Sequence, residues 1–143
     1  MRFARWQPAP IEKGASDADM IAAYQPQIDA LGYAAVEVLR AAGDPAQNVE
    51  LRAQFLSERR YSEDEVRFFV AGQGLFNVHV GDYVYAVRCE KNDLLVIPAG
   101  VPHWFDMGEN PHFVTLRLFN TAKGCEPQLT GDAIADGFPG LDD

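Results

Sequence analysis

Apolar residues recur every three or four positions in the first part of the chain and every second position from residue 65 to residue 119. In the first regime, Met20, Ile21, Tyr24, Ile28 and Leu31 predict a helix over residues 17–31. Ser16 is its N-cap, Asp19 its acidic third position, Pro26 a bend and Gly32 a stop. Residues 33–39, rich in Val and aromatic side chains, predict a strand. Asp44-Pro45 opens a second helix with Val49, Leu51, Phe55 and Leu56 as its inward side. The opening to Gly14 has prolines and a glycine but no period, and reads as an extended arm.

In the second regime, residues 65–70, 74–80, 83–90, 94–97, 104–107 and 113–119 predict six short strands. Gly81-Asp82 joins two of them as a hairpin, and Gly72, Asn92-Asp93, the Pro98 to Pro102 stretch and the Gly108 to Pro111 stretch mark the other corners. Short strands at regular spacing make the chain mainly β, a barrel or a sandwich, with two N-terminal helices. The tail from Thr121 is less regular, with one helical turn near residues 132–136. No repeat or linker divides the chain, so residues 1–143 are expected to form a single domain.

Counting by twos from Arg59 places Arg59, Tyr61, Glu63, Glu65, Arg67 and Phe69 on one strand face, with Val66, Phe68 and Val70 on the other. An ordinary core buries two arginines, a tyrosine and carboxylates only at a cost, so this face is expected to line a polar cavity. His103, after the Pro98-Ala99-Gly100 corner, is a candidate acid/base group beside it. His79 and His112 are read as structural or surface residues.

The chain has 143 residues, 48% of them hydrophobic, enough for a sizeable core. A formal charge of -9 argues against nucleic acid or an anionic membrane as partner and leaves a small molecule. The N-terminal stretch has no signal-peptide core and no run approaches the ~20 apolar residues of a transmembrane helix, so a cytoplasmic location is expected. Cys89 and Cys125 are far apart and match no CxxC pattern, which predicts two reduced thiols.

EDEVRFFV, the GQGLF turn, VYAVRCEKNDLLVIPAG, PHWFDMG and the strand with Arg117 resemble the acireductone dioxygenases, small cupin barrels of the methionine salvage pathway. The similarity runs from the N-terminus, through IAAYQPQIDALGY, to LTGD near Gly131. It implies a cupin fold, a double-stranded β-helix or jelly-roll barrel. On this resemblance the N-terminal extension usual in that family is expected to be lacking, and a homodimer covering a sheet edge left exposed stays open.

The resemblance also implies one Fe(II) or Ni(II), held by a His-x-His pair, a Glu four residues on and a distant His. Glu65 and His103 match the last two positions, whereas Arg59 and Tyr61 stand where the paired histidines belong. Two protein ligands do not ordinarily hold a labile divalent metal, and a guanidinium repels one. The expectation is therefore that no cofactor is used, with Fe(II) or Ni(II) at Glu65 and His103 as the alternative. Arg59 either pairs with Glu65 in the place of the metal or points to solvent at a frayed strand end. Arg67 and Arg117 match substrate-facing positions, Phe105 an aromatic wall, Asp64 an acidic position of the motif, and Cys125 a position where relatives line the pocket with tryptophan.

Three function classes follow. The first is a metal-independent biosynthetic enzyme in which Glu65, His103 and Tyr61 catalyse enolisation, dehydration or cyclisation of a small carbonyl, enol or polyketide-like compound, with Arg59, Arg67, Phe105, Arg117 and Cys125 binding it. The second is an acireductone dioxygenase with an altered Fe/Ni site. The third is a non-catalytic ligand-binding cupin.

Overall fold

The structure is a computed structural model that describes residues 2–7, 11, 14–41, 45–108 and 111–141. In chain order it runs β1 (Arg2–Arg5), α1 (Asp17–Ala23), α2 (Gln25–Leu31), β2 (Ala35–Ala41), α3 (Pro45–Leu56), β3 (Arg59–Arg60) and β4 (Glu65–Val80). It continues through β5 (Tyr83–Glu90), β6 (Asp93–Ile97), β7 (His103–Asp106), β8 (Phe113–Phe119) and β9 (Gln128–Leu129). Two 3-10 turns, Lys123–Cys125 and Ile134–Gly137, complete it.

The 16-residue β4 joins two antiparallel sheets. Its first part pairs with β6 on one side and β8 on the other, giving the order β1-β6-β4-β8-β2. Its second part pairs with β5 and β7, giving β5-β4-β7-β3-β9. The two strands expected over 65–70 and 74–80 are thus one strand, which changes sheet at a register shift between Phe69 and Ala71. Gly72 lies just past the shift with φ of 76°, and a Cβ there would sit 1.9 Å from the carbonyl oxygen of His112. Only glycine allows that approach of backbone to backbone.

Alternation along β4 sorts its side chains between two cores. Val66, Phe68 and Val70 pack with Leu94, Val96, Leu116 and Leu118 against Met20, Tyr24 and Ile28 of the helical segment. Phe69, Phe76 and Val78 meet Leu95, Ile97, Phe105, Met107 and Phe113 between the sheets. Glu65 and Arg67 share the inner face with Phe69, so the barrel interior is apolar at one end and polar at the other.

The helix expected over 17–31 is two helices. Ser16 Oγ accepts the Asp19 N–H, as a cap should. Pro26, which lacks an N–H to donate back to the preceding turn, then breaks the helix at Tyr24. Gly32 closes α2 in the left-handed conformation. Helix α3 turns Leu51 and Phe55 toward the barrel core, whereas Val49 is exposed; two residues before Leu51, Val49 lies on the opposite side of the helix. Asp44, expected to open this helix, lies outside the described residues.

The arm expected at the N-terminus is partly a strand, β1, whose backbone pairs with β6 from Arg2 opposite Val96 to Arg5 opposite Asp93. Arg5 Nε donates to Asp93 Oδ1 at 2.8 Å. Cys89 is a buried free thiol that burial pushes up to about 12, and the side chain of Cys125 lies outside the described residues. No helix among the described residues is long and apolar enough to cross a membrane.

Candidate active site

Three elements build the polar end of the barrel. β4 supplies Glu65 and Arg67, β7 supplies His103 and Phe105, and the short β3 with the turn after it supplies Arg59 and Tyr61. With Phe55 of α3, Phe76 and Trp104, these six residues line a cavity of about 10 Å³. That is room for about one water molecule.

The sequence pattern predicted one continuous alternating face from residue 59 to residue 69. The structure brings four of its polar members together but not by that route, because β3 ends at Arg60 and residues 61–64 bend. Glu63 accordingly turns away and accepts the Asn120 N–H at 2.8 Å. Asp64 is exposed and accepts the Ala99 N–H, holding the corner that precedes His103. His79 donates from Nδ1 to Glu58 Oε2 at 2.9 Å, and His112 is exposed, so neither enters the cavity.

Glu65 is the centre of the cluster. Arg117 donates from Nη2 to its Oε2 at 3.0 Å, and Arg67 Nε lies 3.2 Å from Oε1. Burial by itself pushes the Glu65 carboxyl up, but the positive fields of Arg67 and then Arg117 outweigh it and hold the group below the usual carboxylate range. The Arg117 guanidinium also lies over the Tyr61 ring, 4.8 Å from its centroid. Arg117 therefore acts on the cavity from behind Glu65.

His103 Nδ1 is 2.9 Å from the Val101 carbonyl oxygen, so Nδ1 carries the proton and Nε2 keeps its lone pair. Burial lowers the His103 pKa against the opposing field of Glu65, which favours the neutral ring. The Tyr61 and His103 ring centroids are 5.6 Å apart.

Neither expectation for Arg59 holds. Its side chain is buried rather than solvent-facing, and it donates to the Gln54 and Ser57 carbonyl oxygens rather than to Glu65. These carbonyls end α3, where the helix dipole is negative and a guanidinium is favoured. Arg59 also lies over the Phe55 ring at 5.3 Å, and Arg67 lies 5.4 to 5.9 Å from the centroids of Phe55, Phe76 and Phe105. Phe55 and Phe76 were not singled out as wall residues in the sequence. For Phe76 the signal was available, since it falls two residues before Val78 on the inner face of β4.

The chain has the strand arrangement of a cupin barrel, with its polar groups gathered inside one end. The model of the ARD/ARD' family matches residues 5–127. The chain belongs to that family. It is 57% identical, over 100% of its own length and 82% of the relative's, to an acireductone dioxygenase of Pseudomonas fluorescens (strain Pf0-1). Against an acireductone dioxygenase of Pseudomonas savastanoi pv. phaseolicola the identity is 58%, covering 99% of this chain and 81% of that one. A solved acireductone dioxygenase from Bacillus anthracis, described with a cadmium ion in its active center, superimposes with a TM-score of 0.78 at 26% identity, over 88% of this chain and 81% of that one.

These comparisons overturn the expectation that no cofactor is used. Relatives this similar over the full chain are named acireductone dioxygenases, the class for which the resemblance implies Fe(II) or Ni(II), and the solved relative holds a metal ion in its active center. They favour the dioxygenase reading over the metal-independent one. The donors of this chain fit such a metal in part. Glu65 is ionised and His103 presents the unprotonated Nε2 of a ring fixed through Nδ1, as metal-binding imidazoles do. Arg59 does not fit, because a guanidinium has no lone pair to give. Among the described residues no three His, Cys, Asp or Glu side chains converge.

Proposed function

We propose that this protein is an acireductone dioxygenase with an altered divalent-metal site, in which Glu65 and His103 are the carboxylate and imidazole donors. Identity of 55 to 58% with proteins of that name, across essentially the whole chain, supports the reading. The observation that carries it is the convergence of Glu65 and His103 in one cavity, the first ionised and the second oriented by its bond to Val101. When bound, Fe(II) or Ni(II) supplies a Lewis acid for the oxygens of the enediol substrate.

The chain's own groups have separate tasks in this reading. Arg67 offers its guanidinium to an oxygen of the ionised enediol, a charge-assisted contact that fixes the substrate's orientation. Arg117 holds Glu65 in place and charged. Phe55, Phe76 and Phe105 exclude water around Arg67, which strengthens each electrostatic contact there. An acireductone is larger than a 10 Å³ cavity, so its entry requires the wall to open. Phe55 is the wall residue carried by a helix rather than by the sheets.

Oxygen uptake with acireductone tests the reading. Protein supplied with Fe(II) or Ni(II) is expected to consume oxygen well above the protein-free rate, and Glu65→Gln and His103→Ala are each expected to remove that excess. Uptake at the protein-free rate with both metals, or unchanged uptake in both variants, would overturn it.

A further inference from the structure

We propose that the gap between the outer face of β4 and β5 and the stretch 138–141 is a binding site for a short aliphatic monocarboxylate, its head held by Asn77 and Arg88. The site lies outside the barrel interior, and the proposal does not depend on the enzymatic reading. Phe76 and Val78 turn into the core between the sheets, so alternation puts Leu75 and Asn77 on the outside of β4. Their register partners are Arg88 and Ala86 on β5, and Asp106 and Trp104 on β7. Residues 138–141 form a strap over this surface, pinned at two points. Phe138 packs on Trp104 with ring centroids 5.8 Å apart. The Leu141 N–H donates to Asp106 Oδ2 at 2.8 Å, and the Leu141 carbonyl oxygen accepts from Arg88 Nη2 at 3.3 Å.

The strap does not fill the space beneath it. A cavity of about 230 Å³ remains between strap and sheet. That is room for several water molecules but falls below the ~300–1,000 Å³ of pockets for drug-sized ligands, so the ligand is short. Leu75, Val84, Ala86, Phe138 and Pro139 make the lining mainly apolar, around the polar side chains of Asn77 and Arg88. Asn77 is 2% exposed, yet among the described residues its Nδ2 has no acceptor, and a buried donor left unbonded is costly. The one hydrogen bond of the Arg88 side chain among the described residues goes to the uncharged Leu141 carbonyl, so its charge has no carboxylate partner there. A single carboxylate answers both, with an oxygen for the amide N–H and a charge for the guanidinium. Nδ2 itself is shut in, and a turn of the amide about its last torsion, which is soft, brings it to the ligand. The aliphatic body then lies on the apolar lining.

The probe is 4-methylpentanoate, titrated into the full chain by calorimetry without added metal. One saturable equivalent is expected. Binding should be about tenfold weaker or more for 4-methylpentan-1-ol, which lacks the charge, and for acetate, which lacks the apolar body. Arg88→Gln is expected to weaken the acid by about tenfold and leave the alcohol unchanged, so that the preference for acid over alcohol disappears. Asn77→Ala removes the amide and is expected to weaken both. Ala86→Leu, which fills the cavity floor, is expected to abolish binding. Ala86 and Arg88 are exposed, so their variants keep the fold and the comparison stands even if Asn77→Ala does not. Non-saturating binding, equal affinity for acid and alcohol, or wild-type affinity for the acid in Arg88→Gln and Ala86→Leu would overturn the proposal. Because neither metal nor oxygen enters this measurement and no variant touches Glu65 or His103, its failure is distinct from failure of oxygen uptake.

Discussion

Arg117 donates to Oε2 of Glu65 at 3.0 Å while Arg67 lies 3.2 Å from the other carboxylate oxygen, so one buried acid holds two buried guanidiniums apart. The arrangement joins the strands carrying them, since Arg67 on β4 is the register partner of Arg117 on β8. Without the acid, two like charges would face each other across that pair.

Glu65→Gln is therefore expected to destabilise the fold by ~3–5 kcal/mol, the usual cost of breaking a buried ion pair from one side. Arg117→Met is expected to cost less, because Arg67 remains to pair with the carboxylate. Urea denaturation of the two variants measures the difference. Equal losses would mean that the cluster does not act as one network.

Asp106 gives a pH-dependent clamp away from the cavity. It accepts from Arg52 of α3 at 2.8 Å, from the Leu141 N–H at 2.8 Å and from the Gly108 N–H at 3.1 Å. Burial pushes its carboxyl up, but the Arg52 hydrogen bond and the two backbone donors outweigh it, so the folded pKa lies below the unfolded value of about 3.9. The stabilisation is present above that unfolded value and is lost as pH falls through the folded one. Asp106→Asn is expected to lower stability by ~2–3 kcal/mol near pH 7, the scale of hydrogen bonds to a charged group. The gap to wild type should close below about pH 4. A gap that persists unchanged to pH 2.5 would show that the carboxylate charge contributes nothing.

How far the sequence discloses this molecule depends on whether local pattern or distant pairing decides each feature. The β4 alternation and the caps at Ser16 and Gly32 are local, and they are where the pattern put them. β1 could not be read, because RFAR is made a strand by pairing with β6 some ninety residues away. Similarly, counting by twos correctly turned Glu65 and Arg67 inward, but it could not see that the chain bends at residues 61–64 and sends Glu63 to Asn120. Arg59 was legible as an inward residue and not as a helix cap, since nothing local tells that α3 ends against it. The resemblance identified the family, and the departures at residues 59 and 61 led the cofactor expectation away from what the relatives support.

Gly72→Ala is expected to be among the most damaging single changes in the barrel. The new Cβ would meet backbone atoms of His112 and Phe113, at 1.9 and 2.6 Å, and the residue would hold a positive φ. The strain falls at the point where β4 passes from one sheet to the other, so relief would disturb both pairings. Gly137→Ala, with open space around it, is the control and is expected to change Tm little. Similar melting temperatures for the two variants would contradict the close approach of β4 to the loop before β8.

The last prediction concerns the two positions that set this chain apart from the ligand pattern of its family. Arg59→His with Tyr61→His adds two imidazoles to the cavity that already holds Glu65 and His103, and it removes one buried positive charge. Affinity for Ni(II) or Fe(II) is expected to rise above wild type, and calorimetric titration under anaerobic conditions reads it. Tyr61→His alone should raise it less, because Arg59 still opposes a dication. The gain is expected to come with a stability loss of ~1–2 kcal/mol, since the arginine bonds to Gln54 and Ser57 at the end of α3 are lost. A folded double variant with wild-type metal affinity would show that side chains at these positions cannot reach the point on which Glu65 and His103 converge.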